Sequence, residues 1–149
     1  CKTLQAMSDD ELKKLWKCND QIAALNEERL RDMDLRRALT PALLAYEGIQ
    51  YRYMAPGVFT EREFDYVQEH LRILSGFYGV LRPFDGVTPY RLEMQAKLKI
   101  CDAKDLYSYW NNKLAERIFE ETDCIINLAS KEYSSCITKY LHKDIRSGT

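Results

Sequence analysis

The stretch SGFYGVLRPFDGVTPYRLEM, Ser75 to Met94, cannot be a regular helix, and it divides the chain into two helix-bearing parts. It sets three glycines and two prolines among two arginines, two carboxylates and four aromatic rings. A helix interior loses about 1 kcal/mol at each Gly and about 3 kcal/mol at each Pro relative to Ala, so turns must dominate here. A surface loop is rarely so rich in arginine and rings together, and a core strand is rarely so rich in Gly and Pro. Ile73-Leu74 leads in as an apolar pair. Near the far end Tyr90, Leu92 and Met94 alternate with Arg91 and Glu93, which predicts a strand.

Helical signals lie on both sides. Ser8-Asp9-Asp10-Glu11 reads as a capping box, in which the Ser8 hydroxyl accepts from the Glu11 amide and the Glu11 carboxylate reaches back. Leu12, Leu15, Trp16, Asn19, Ile22, Ala23, Asn26 and Leu30 then recur at spacings of three and four, with two asparagines on the apolar stripe. Either this helix is continuous, or Asn19-Asp20 caps a second one after a short break. Thr40-Pro41 reads as a helix start and Gly48 as its stop. Gln50 to Pro56 is tyrosine-rich and reads as irregular, and Thr60-x-x-Glu63 repeats the capping box. Asp105 to Phe119 is helical by pattern, Cys124-Ile125-Ile126 is a short buried strand candidate, and a last helix carries Tyr133, Ile137 and Tyr140. The expected fold class is α+β: one helix-rich, mixed α and β domain over residues 1–149 with a short sheet.

With 149 residues the chain can bury one sizeable core. Its formal net charge of -1 exerts no global pull on nucleic acid or an anionic membrane, so any anion site must come from local placement. Five scattered cysteines without a C-x-x-C read as reduced thiols in a cytosol. No apolar run approaches the roughly 20 residues that span a bilayer. The start at Cys1 and the stop after Asp144-Ile145-Arg146 both read as cuts through a longer protein.

For chemistry, His70 and His142 stand far apart with no ligand-spaced partner, so no metal site and no cofactor are expected. Ser75-Gly76 is not a nucleophile elbow, and no conventional catalytic constellation is recognisable. Three placements remain open. Asn127 and Ser130, at the turn into the last helix, either present a helix N-terminus to an anion or simply cap and satisfy the turn. Arg82, Arg91 and Glu93 form either a preorganised fork for phosphate or carboxylate, with Tyr78 and Tyr90 beside it, or an internal Arg–Glu network. Lys13, Lys14, Lys17 and Arg29 either contact a DNA backbone or form a solvated helix face.

The same residues resemble a known family. Ser75, Gly76, Tyr78, Gly79, Leu81, Arg82, Pro83, Asp85 and Pro89 through Met94 fit the S-G-x-Y-G-x-L-R-P-x-D-x-x-x-P-Y-R-L-E-M signature of the YaaA family of bacterial peroxide stress proteins. Gln68 to Arg72 resembles the family's Q-x-H-L-R, Asp105 to Trp110 its D-L-Y-x-x-W, and Ile126 to Tyr133 its I-N-L-A-S-x-E-Y. The resemblance implies a cytosolic protein that helps cells survive hydrogen peroxide by limiting unincorporated iron and the DNA damage it drives. It further implies duplex DNA binding through a helix-hairpin-helix-like element, here residues 8–30, with Lys13, Lys14, Lys17, Asn19, Asn26 and Arg29 as contacts and Arg82 and Arg91 lining a cleft. Where the family often has Ile-Ser-Asp-Lys, this chain has Cys18-Asn19-Asp20-Gln21. The alternative is an uncharacterised enzyme, or a protein that holds a small anionic ligand or nucleotide, using Ser75, Tyr78, Arg82, Tyr90, Arg91, Glu93, Asn127 and Ser130, with Tyr133 in the same motif. A third reading makes the signature architectural.

Overall fold

Side-chain caps set the helix starts early in the chain. In the computed structural model, which describes residues 1–148, a short turn α1 (Lys2–Gln5) precedes α2 (Asp9–Trp16). The Ser8 amide donates to the Glu11 carboxylate at 2.9 Å and the Glu11 amide donates to Ser8 Oγ at 3.4 Å, which is the expected capping box. Lys17, at φ +48°, ends α2, and Asn19 caps α3 (Asp20–Arg31) by accepting from the Ile22 amide at 2.9 Å. The break, not the continuous helix, is therefore what these residues form. Asn26 is buried, and its Nδ2 donates to the Ile22 carbonyl at 2.7 Å, which satisfies the amide on its own helix.

The chain groups into two compact units. The first comprises Cys1–Lys13, Cys18–Ile73 and Leu81–Arg91; the second comprises Lys14–Lys17, Leu74–Val80 and the chain from Leu92 onward. In the first unit Leu4, Leu12, Ala23, Leu30, Ala42 and Leu43 are buried. Thr40 does not cap a helix here. Thr40–Pro41 (β1) pairs antiparallel with the strand Gly86–Val87, and α4 (Ala42–Ala45) starts only afterwards. The reason is tertiary. The amides of Ala42 and Leu43 donate to the carbonyls of Asp85 and Pro83, each at 2.9 Å, so a distant turn satisfies the helix start.

Gly48, at φ +151°, opens a further helix instead of only closing one: α5 (Ile49–Met54) turns the tyrosine-rich segment, expected to be irregular, into helix. A 3-10 turn (Pro56–Val58) leads to α6 (Glu61–His70). There Thr60 and Glu63 complete the second capping box, with bonds of 2.7 and 3.4 Å.

Next β2 (Ile73–Ser75) pairs with β3 (Gly79–Leu81), followed by the partner strand of β1, which is β4 (Gly86–Val87). The strand expected at Tyr90 to Met94 is absent. Leu92, Met94, Ala96 and Leu98 are buried and Glu93, Gln95, Lys97 and Lys99 exposed, so the two-residue alternation is real. It records which side faces the core of an extended segment, not pairing in a ladder. The Gln95 amide donates to the Glu132 carboxylate at 3.1 Å instead of to a neighbouring strand.

The expected helix from Asp105 to Phe119 is two helices, α7 (Leu106–Trp110) and α8 (Lys113–Phe119), broken at Asn111 with φ +47°. Asn111 Oδ1 accepts from the Tyr140 hydroxyl at 2.9 Å, a tertiary bond that local pattern does not carry. Cys124–Ile126 is a strand, β5, but not a buried one, since Cys124 is exposed and Ile126 is 75% exposed. It runs parallel to β6 (Arg146–Gly148), and α9 (Lys131–Thr138) makes the crossover that a parallel pair requires. No helix among the described residues is long and apolar enough to cross a membrane.

The second capping box carries a testable pH dependence. Hydrogen bonds from the Thr60 amide and then its hydroxyl hold Glu63 below its ordinary value of 4.5. A lowered folded value means that the box stabilises α6 fully above 4.5 and stops doing so as the pH falls through the lower folded value. Thr60→Ala should cost about 1 kcal/mol of unfolding free energy in urea titrations at neutral pH. Glu63→Gln should flatten the acid limb of amide exchange at residues 61–64; an unchanged limb removes the box as its cause.

Candidate functional site

The signature stretch begins with a turn that only certain residues can make. Ser75 is fully buried, and its Oγ accepts from the amides of Phe77 at 3.1 Å and Tyr78 at 2.9 Å, closing the turn between β2 and β3. Gly79 takes φ +89°, and a β-carbon there would stand 2.9 Å from Trp110. A β-carbon on Gly76 would stand 3.0 Å from the Leu92 carbonyl oxygen. Trp110 Nε1 donates to the Gly76 carbonyl at 3.0 Å, and its ring fills the space that Gly79 leaves, while the Leu92–Met94 backbone closes on Gly76.

Two more signature segments join this brace in the second unit. The Tyr107 hydroxyl donates to the Glu132 carbonyl at 3.1 Å, and the Glu132 carboxylate takes the Gln95 amide. Burial first, then the Cys136 and Glu132 charges, push the Tyr107 phenol up, and burial does the same to the Cys136 thiol. Glu93 is exposed and accepts from Gln95 Nε2 at 3.4 Å. Asn127 is engaged at both ends of its side chain: Nδ2 donates to Ser134 Oγ at 2.7 Å and Oδ1 accepts from the Ala129 amide at 3.1 Å. Ser130 stands at the N-cap of α9, but its hydroxyl makes no cap bond. Its carbonyl accepts from the amides of Tyr133 and Ser134 at 3.0 and 2.8 Å.

The remaining signature residues lie in the first unit. Asp85 Oδ2 accepts from the Arg82 amide at 2.7 Å, which tightens the Arg82-Pro83-Phe84-Asp85 turn. Pro83 is fully buried, while the Arg82 side chain is exposed and Arg91 half-buried. The Tyr90 and Tyr46 hydroxyls are 2.6 Å apart, one donating to the other. A cleft of about 810 Å3 adjoins Tyr46, lined also by Leu43, Glu47, Tyr51 and Arg52. Sequence reasoning missed it, although the tyrosine-rich segment was the available signal.

In the N-terminal element Lys13 is paired with Asp20, whose hydrogen bond and charge raise the Lys13 value. Lys14, Lys17 and Arg29 are exposed. Asn19 and Asn26 serve α3 itself, as cap and as buried donor. Among the described residues no group of three or more His, Cys, Asp or Glu gathers as metal ligands would.

These features define a mixed α/β protein whose signature segments brace one another. The family model described as "Peroxide stress protein YaaA" matches residues 1–147, and the chain belongs to that family. It is 64% identical over 138 residues to a UPF0246 protein of Agathobacter rectalis, covering 93% of this chain and 55% of that one. It is 57% identical over 143 residues to a UPF0246 protein of Lachnoclostridium phytofermentans, covering 96% and 56% respectively. A UPF0246 protein of Pediococcus pentosaceus is 53% identical over 146 residues, covering 98% of this chain and 58% of its own. The chain thus spans about half the length of the curated relatives it matches.

Gly79→Ala tests the brace, because it forces both a β-carbon against Trp110 and a left-handed backbone on alanine. It should destabilise by about 2–3 kcal/mol, read from the urea midpoint. Gly57→Ala, where nothing lies within 4 Å of the added carbon, should stay within about 0.5 kcal/mol of the parent.

Proposed function

We propose that the chain is part of a cytoplasmic peroxide stress protein that binds duplex DNA through α2 and α3 and helps limit iron-driven damage to it. Membership of the peroxide stress family supports the stress role. The observation that carries the DNA reading is local: two capped helices meet at the Lys17-Cys18 turn, with Lys14, Lys17 and Arg29 exposed. Asp9, Asp10 and Glu11 occupy the first turn of α2, so the lysines fall toward its other end. Such an element contacts phosphates and positions a protein on a duplex without reading sequence. Arg82, exposed on its turn, is a further phosphate contact in this reading.

Fluorescence anisotropy with a labelled duplex, over a series of salt concentrations, tests the proposal on this chain and on the longer Agathobacter rectalis relative. Affinity should fall linearly with log salt, and Lys14→Gln or Lys17→Gln should each lower the slope by about 1. Asp20→Asn should raise affinity, because it releases Lys13 from its ion pair. Salt-insensitive binding, or slopes unchanged in both lysine variants, would sink the reading.

A further inference from the structure

The cleft beside Tyr46 is open to solvent and large enough for a small ligand. Its volume of about 810 Å3 falls within the range of small-ligand sites, about 300–1,000 Å3. Leu43, 1% exposed, makes an apolar base. Tyr46 and Tyr51 stand with ring centroids 6.0 Å apart and planes 24° apart, both half-buried, a stacked pair that a third ring can extend. Tyr90 holds Tyr46 from the side, edge-on at 6.3 Å and 77°, through the bond between their hydroxyls. A signature residue thus fixes the plane of a cleft wall.

The polar groups around this platform are few and different in kind. Burial pushes the Tyr51 phenol up to about 12, so it stays a proton donor at physiological pH. Arg52 supplies an exposed guanidinium whose planar fork matches phosphate oxygens, and Glu47 supplies a carboxylate that accepts from an exocyclic amine. An aromatic platform with one cation and one acceptor matches a base joined to a phosphate. Stacking on tyrosine tolerates any base, because every base presents a π face.

We propose that this cleft binds a nucleotide, with the base stacked on Tyr46 and Tyr51 and the phosphate on Arg52. The same chemistry is offered by a free nucleotide and by an unstacked nucleotide within a strand. The site is separate from α2 and α3, and the proposal does not depend on duplex binding there.

Isothermal titration of this chain and of the longer Agathobacter rectalis relative with AMP, adenosine, a short single-stranded oligothymidylate and a duplex tests it. AMP should bind about tenfold more tightly than adenosine, the worth of one charge-assisted phosphate contact. Arg52→Gln should bring AMP down to the level of adenosine and leave adenosine unchanged. Tyr51→Leu should weaken both ligands about tenfold, as loss of a stacking platform does, with Tyr51→Phe as the ring-preserving control and circular dichroism confirming the fold of each. AMP binding without oligothymidylate binding assigns a free nucleotide; oligothymidylate binding weakened by the same variants assigns a strand. The proposal is overturned if neither chain binds AMP or oligothymidylate, if AMP and adenosine bind equally, or if binding survives intact in both Arg52→Gln and Tyr51→Leu.

Discussion

Trp110 and the Ser75–Gly79 turn can occupy their places together only because residue 79 has no side chain. The β-carbon that any other residue would bring lies 2.9 Å from the indole, at a backbone angle that L side chains rarely adopt. Much of the second unit follows from this contact. The indole nitrogen donates to the Gly76 carbonyl, and Gly76 in turn lets the Leu92 carbonyl approach closely. That approach fixes the extended segment that buries Leu92, Met94, Ala96 and Leu98. The segment then delivers the Gln95 amide to Glu132 in the first turn of α9, and Tyr107 holds the same residue by its carbonyl.

The first unit has its own organising contact, made by backbone alone. The carbonyls of Pro83 and Asp85 take the amides that open α4, and the Asp85 carboxylate closes the turn that presents them. Placing α4 puts Leu43 at the base of the tyrosine cleft and Tyr46 within reach of Tyr90. The arginine-bearing part of the signature therefore acts first through main-chain atoms. The bond that closes the turn is made by the Arg82 amide, at a residue exposed to solvent.

What could be read from sequence was what is decided within three or four residues. Both Ser/Thr-x-x-Glu boxes form as expected, since donor and acceptor belong to one turn of helix. The same local logic failed at Thr40, because the acceptors for the α4 amides lie in the 83–85 turn, far along the chain. It failed again at Asn111, where a bond from Tyr140 accompanies a break in an otherwise continuous pattern. At Tyr90 to Met94 the alternation was correct and the inference of pairing was not, because periodicity reports burial and is silent on hydrogen-bond partners. Of the proposed site residues, Asn127 and Asn26 turned out to be engaged within their own segments. The cleft was legible only as a cluster of tyrosines, since residues of both α4 and α5 line it and α5 was not expected.

Charge placement follows from the same local economy. Carboxylates in the first turn of α2 complement the positive end of the helix dipole, and lysines toward its other end complement the negative one. Glu11 closes a cap, Asn19 closes another, and Asp20 takes Lys13. The lysines read from sequence as equivalent are thereby made unequal: Lys13 is neutralised locally, whereas Lys14 and Lys17 have no ion pair among the described residues. With a net charge of -1 the chain has no long-range field to draw a polyanion in. Any phosphate contact must then be made at short range by side chains that capping has left over, and such contacts are the ones most easily screened by salt.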